Sequence, residues 1–267
     1  MTRLLIATGS QRCLRGDTTR HLLTAPAATW GPSSLPQSSD IKLFCDTGIV
    51  GAVTDVSGKA SVIIDQVSGR NLAQGTDANR PTTGATRNGL PVVTFTANSG
   101  MDVGGGATGI VSKTSTFFVV AAPAGSVGWG GPFLSAGQAT GTDDNGGAGA
   151  FAVRTANSNP RLIYLQDGGS ADTSTGTNSW SVYTVEITAT TATVYQDGAS
   201  IASRGGVGGA TVEYWTIGLG AYLTAGAWSY GSGFAGDLAA LIVYNATLSG
   251  TDRATVEAAL KARWATP

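Results

Sequence analysis

Short apolar or alternating runs in this chain are cut off by turn formers at roughly 8–12-residue intervals, a rhythm that admits antiparallel strands and little else. Ser181-Val-Tyr-Thr-Val-Glu-Ile-Thr188 alternates with a period of two, setting Val182, Thr184, Glu186 and Thr188 against Tyr183, Val185 and Ile187. Pro91-Val-Val-Thr-Phe-Thr96 does the same, with Val93 and Phe95 on one face. Thr116-Phe-Phe-Val-Val120 is an unbroken apolar run, the pattern of a strand covered on both faces. Phe151–Arg154 and Arg161–Leu165 flank the turn-rich Asn157-Ser-Asn-Pro160, a hairpin connection, and Asp197-Gly198 is a tight-turn dipeptide.

Composition agrees. Of 267 residues 39 are glycine, and charged residues make up 12%, about half the usual share. A hydrophobic fraction of 42% is enough for a real core and argues against disorder. Helical signals are confined to the end. Ser249 is a good N-cap with Asp252 three residues on, and Val256, Leu260 and Trp264 recur every fourth residue as one apolar stripe. The expected fold class is all-β, an antiparallel jelly-roll β-sandwich with one C-terminal α-helix.

Residues 1–40 read as an N-terminal arm and linker ahead of a body spanning 41–267. Its first twenty residues carry Arg3, Arg12, Arg15 and Arg20 against the single acid Asp17, and the arm runs through the turn-rich Trp30-Gly-Pro-Ser-Ser-Leu-Pro-Gln-Ser-Ser39. Such an arm can bind phosphates or an acidic protein surface, or be a flexible leader that happens to be basic. The formal net charge of −1 gives no field that would draw in nucleic acid or an anionic membrane. No stretch of eighteen apolar residues occurs. The run Leu4-Leu-Ile-Ala7 is shorter than the apolar region of a secretory signal. Two cysteines, Cys13 and Cys45, either form one bridge between arm and body or remain free thiols.

Four blocks in order carry a resemblance. They are Asp65-Gln-Val-Ser-Gly-Arg-Asn71 with Gln74, Asn79-Arg-Pro81 and Asn88-Gly-Leu-Pro-Val-Val-Thr-Phe95; Thr116–Val120; Thr193-Val-Tyr-Gln-Asp-Gly198; and Gly233–Asn245 with Leu248-Ser249 and the terminal helix. In these the chain resembles the concanavalin A-like lectin and laminin-G-like jelly-roll superfamily, of the kind found in bacteriophage virion proteins. The resemblance implies two curved antiparallel sheets and no single function.

Catalytic chemistry is sparse. Glycoside hydrolysis needs paired carboxylates about 5–9.5 Å apart, and the hydrolases of that superfamily carry clustered acids on a strand. Here the glutamates are Glu186, Glu213 and Glu257, none with an acid two or four residues away. The lone histidine, His21, lies in the arm, and Gly104-Gly-Gly106 lacks the context of a phosphate loop. The chain is therefore expected not to be an enzyme. Thr142-Asp-Asp-Asn-Gly146 groups Asp143, Asp144 and Asn145 as a candidate calcium loop or a solvated turn. Trp129, Tyr222, Trp228 and Tyr230 stand among glycines as loop aromatics suited to a sugar platform or a protein contact, whereas Trp180, Trp215 and Trp264 read as core. These features lead to the expectation of a virion-surface protein, a capsid decoration, head-fibre or tail-associated component. Its arm would meet other virion proteins, its jelly roll would grip cell-surface polysaccharide, and exposed aromatics and arm would suit a trimer. A secreted bacterial carbohydrate-binding module and a glycan hydrolase are the alternatives.

Overall fold

The computed structural model describes residues 30–96, 98–103, 114–123, 179–205 and 234–267, together with the backbone pairing of strands at 4–6, 11–14, 22–24, 132–137, 151–155, 162–167, 170–175, 214–217, 221–224 and 227–230. Two antiparallel sheets stack as a β-sandwich, and one helix, α1 (Gly250–Trp264), closes the outside of one of them.

The helix-backed sheet runs in the order Val93–Phe95, Gly236–Tyr244, Ser115–Pro123, Ser181–Ile187, Thr191–Gln196, Ala199–Gly205, with Ile41–Asp46 also paired to Gly236–Tyr244. Its central strand fulfils the apolar run. Phe117 and Val119 enter the layer between the sheets, Phe118 and Val120 enter the layer beneath α1, and all four are fully buried. The alternation of Ser181–Ile187 divides in the same way, with Tyr183, Val185 and Ile187 between the sheets and Val182 toward the helix. Val256, Leu260 and Trp264 form the buried stripe of α1.

The open sheet runs Ser170–Thr175, Leu162–Asp167, Phe151–Thr155, Pro132–Gly137, Tyr214–Ile217, Met101–Val103, Leu72–Ala73, Lys59–Ile63, Val53–Val56. Ala60, Ile63, Leu72, Met101 and Val103 face the inter-sheet core. The Asp197-Gly198 and Asn88-Gly89 turns both place two successive residues at positive φ, 52° and 91°, then 51° and 74°, as a two-residue hairpin with native twist requires.

The block around Asp65 is a fold staple. The buried carboxylate accepts from the backbone N–H groups of Phe44 (2.8 Å), Val67 (3.1 Å), Ser68 (2.7 Å) and Arg70 (3.2 Å), and Asn71 Oδ1 accepts from the Asp65 N–H at 2.9 Å. One buried charge thus satisfies a whole irregular turn.

Two expectations change. The packed body includes residues ahead of Ile41: Leu35 is buried under α1, Trp30 packs beside it, and the Trp30 indole donates to Asp46 at 2.7 Å. Farther up the arm, Leu4–Ile6, Gln11–Leu14 and Leu22–Thr24 pair as a three-stranded antiparallel sheet. Cys45 is a free thiol, 2% exposed, within the inter-sheet core, so the Cys13–Cys45 bridge is not made.

Candidate functional site

The two sheets differ in what covers them. On the helix-backed sheet the polar side chains beneath α1 are consumed by the packing. Thr184 Oγ1 donates to Glu257 Oε1 at 2.6 Å, and the Arg253 guanidinium lies 3.6 Å from the centre of the Tyr195 ring. Arg253 also reaches Glu186 (Nη1–Oε2 3.5 Å) and Glu257 (Nε–Oε1 3.7 Å). Glu186 is not the isolated acid its sequence neighbours imply; it and Glu257 hold the helix to the sheet.

The outer face of the other sheet has no such cover from α1. Register traces one continuous row across all nine strands: Thr54, Val62, Ala73, Asp102, Thr216, Ser135, Ala152, Gln166, Ala171. Paired residues share a face. Because Leu72, Met101 and Val103 point to the core, this row lies on the outside, and Thr54 and Asp102 are exposed. Leu134, Val153, Leu165 and Ile217 alternate with the row and are apolar, whereas Asp172, paired with Leu165, is not.

The same alternation puts Arg154, Tyr164 and Thr173 on the outer face along one side of the row, and Tyr214 on the other. From Asp102 to Gln166 is four strand spacings, roughly 19 Å. The residues between them, Thr216, Ser135 and Ala152, are small. The register thus groups tyrosine, polar and small-residue positions on one face of the sheet, the residue types that sugar-binding surfaces use.

Asp102 is the charged group at the middle of this face. Loss of hydration among the neighbouring strands raises its carboxyl above the ordinary aspartate value, although the residue as a whole is exposed; a bond from its own backbone N–H pulls the other way. Trp129, Asp143, Asp144, Asn145, Arg3, Arg15 and Arg20 lie outside the described residues, and Arg12 and Cys13 sit on the strand Gln11–Leu14. Among the described residues there is no cluster of metal-binding side chains. Tyr222, Trp228 and Tyr230 are strand residues, not loop residues, because Ala221–Thr224 and Ala227–Tyr230 pair as a hairpin. Register pairs Tyr222 with Ser229, Leu223 with Trp228 and Ala221 with Tyr230.

No protein-family model matches this chain, and no curated protein sequence does. Solved structures do. An arabinofuranosidase complexed with arabinofuranosyl-α-1,2-xylobiose superposes with a TM-score of 0.64 at 12% identity, over 88% of this chain and 65% of that one. The sialidase of Trypanosoma rangeli in complex with sialic acid gives 0.58 at 13% identity, over 97% and 44%. Domain 4 of an extracellular arabinanase from Geobacillus stearothermophilus, in complex with arabinotriose, gives 0.50 at 11% identity, over 82% of this chain and 98% of that domain. This chain shares its β-sandwich with glycan-processing proteins. At such identities the likeness shows the fold and transfers no catalytic residue. It does overturn the expectation that the chain is not an enzyme, since that expectation took isolated glutamates as decisive and the structures sharing this fold are mostly glycoside hydrolases. Nothing in these matches supports the virion role.

Proposed function

We propose that this chain is a glycan-binding β-sandwich domain of a carbohydrate-active protein, and that the sugar lies across the outer face of the open sheet. The register row carries this reading. It joins nine strands into one face on which the register positions of Tyr164, Tyr214, Gln166, Arg154 and Asp102 fall together. The fold it shares with an arabinanase domain solved with arabinotriose, matched over 98% of that domain, makes arabinan-type oligosaccharides the first ligands to test.

The test is titration calorimetry of the full chain with arabinotriose, with affinity electrophoresis in arabinan and arabinoxylan gels beside it. Binding that weakens at least tenfold in Tyr164→Ala or Tyr214→Ala, in protein that melts normally, is the expected result. Absence of binding to every one of these glycans, or binding indifferent to both tyrosines, overturns the reading. Reducing-sugar release from the same polysaccharides measures whether the surface also turns its ligand over.

A further inference from the structure

We propose that Asp102 determines the specificity of the open face, by hydrogen-bonding the hydroxyls of a neutral sugar and turning away glycans that carry a carboxylate of their own. This rests on the sugar-binding reading of that face.

Three observations support it. First, Asp102 stands near the middle of the row, with Ala73 beside it on one strand and Thr216 on the other. Asp102 itself is exposed. Second, among the described residues no cation and no hydroxyl partners it. The contrast with the other acids is sharp: Asp46 is held by Arg263, Asp65 by four backbone N–H groups, Asp77 by Lys59, Asp237 by Thr94 and Glu257 by Thr184. A carboxylate with free lone pairs is an acceptor awaiting donors, and sugar hydroxyls are donors. Third, aspartate is a poor strand former, and Met101–Val103 is an interior strand paired on both sides. A residue that breaks the local rule at a desolvated, unpaired position marks a functional site more often than a structural one. A carboxylate brought against Asp102 itself would set two like charges together, Arg154 standing three strands away along the face.

The deciding experiment compares arabinotriose with the same trisaccharide oxidised at its reducing end to the aldonic acid, by calorimetry at low salt. The unmodified chain is expected to bind the neutral form at least tenfold more tightly, with added salt narrowing the gap. Asp102→Ala should weaken arabinotriose binding about 10- to 100-fold, the worth of a hydrogen bond to a charged acceptor. Asp102→Asn should bring the two ligands level. Oxidation also opens the terminal ring, but a preference due to shape would persist in Asp102→Asn. Equal affinities in the unmodified chain, or a preference unchanged by Asp102→Asn, overturn the proposal while leaving tyrosine-dependent sugar binding intact. Failure to bind either trisaccharide overturns both.

Discussion

Arg263 closes on Asp46 through both carboxylate oxygens, Nε to Oδ2 at 2.7 Å and Nη2 to Oδ1 at 3.0 Å, and so ties the last turn of α1 to the strand Ile41–Asp46. Asp46 is fully buried and also accepts from the Trp30 indole at 2.7 Å and from the Gly48 N–H at 2.8 Å. The guanidinium lies 5.0 Å from the Trp30 ring and 5.5 Å from that of Trp264. Helix, strand and N-terminal approach therefore meet at one charge pair.

Removing one member leaves the other buried without its partner. Asp46→Ala should destabilise the fold by about 3–5 kcal/mol, the usual cost of orphaning a buried charge. Arg263→Met, which keeps apolar contact with Trp30 and Trp264, should still lose heavily because Asp46 then retains only the indole and one backbone donor. Urea denaturation midpoints at constant slope report both. A change below about 1 kcal/mol in Asp46→Ala would show that water replaces the pair.

The start of the same helix offers a smaller, cleaner test. Ser249 accepts from the Asp252 N–H at 3.1 Å and donates to Asp252 Oδ2 at 2.9 Å, while Gln37 Nε2 donates to that same oxygen at 2.6 Å. Ser249→Ala should cost about 1 kcal/mol, and Ser249→Thr, which keeps the hydroxyl, should retain most of the cap. Thermal melts of the two variants should separate accordingly; equal melting temperatures would contradict the cap.

That cap was legible in the sequence, as were the stripe of α1, the double burial of Phe117–Val120 and the turn at Asp197-Gly198. All depend on spacing within a few residues. The open face was not legible, for a physical reason. Asp102 meets Thr216 across more than a hundred residues of chain, and nothing local to Val103 or Tyr214 announces that pairing. The hairpin of Phe151–Arg154 with Arg161–Leu165 was visible, yet nothing in it could set those strands in one sheet with Asp102 until the strand order was known. The loop reading of Tyr222, Trp228 and Tyr230 failed on glycine content, because glycines that bound a short hairpin resemble glycines in a loop.

Cys45 gives a chemical test of the inter-sheet core. Burial, foremost, and then the nearby Asp65 and Asp46 carboxylates hold its thiol well above the ordinary cysteine value. In a Cys13→Ser background the native protein should show no thiol that reacts rapidly with an aromatic disulfide reagent at mildly alkaline pH. One equivalent should react once the chain is unfolded. With both cysteines present, melting temperatures with and without reductant should coincide, since Cys45 is not bridged. Rapid labelling of the native variant would mean that the sheets part readily at this point.

Asp102 should leave its mark on stability as well as on binding. Its carboxyl is raised in the folded protein by loss of hydration, so folding favours the protonated form. Between the unfolded and folded values the native state keeps a proton that the unfolded chain has released, and the stability from this group falls as pH rises through that window. Above the window an ionised Asp102 opposes folding; below both values its effect vanishes. Asp102→Asn carries no charge at any pH. Its melting temperature should therefore exceed that of the unmodified protein near neutrality, and the two should converge toward about pH 3, beneath the ordinary aspartate range. A series of melts from about pH 3 to about pH 8 reads this directly. A difference independent of pH, or a variant less stable near neutrality, would show that the carboxylate contributes to the fold through contacts of its own. The expected pattern is instead that of a side chain retained against stability, and such a cost is commonly borne where a surface must bind.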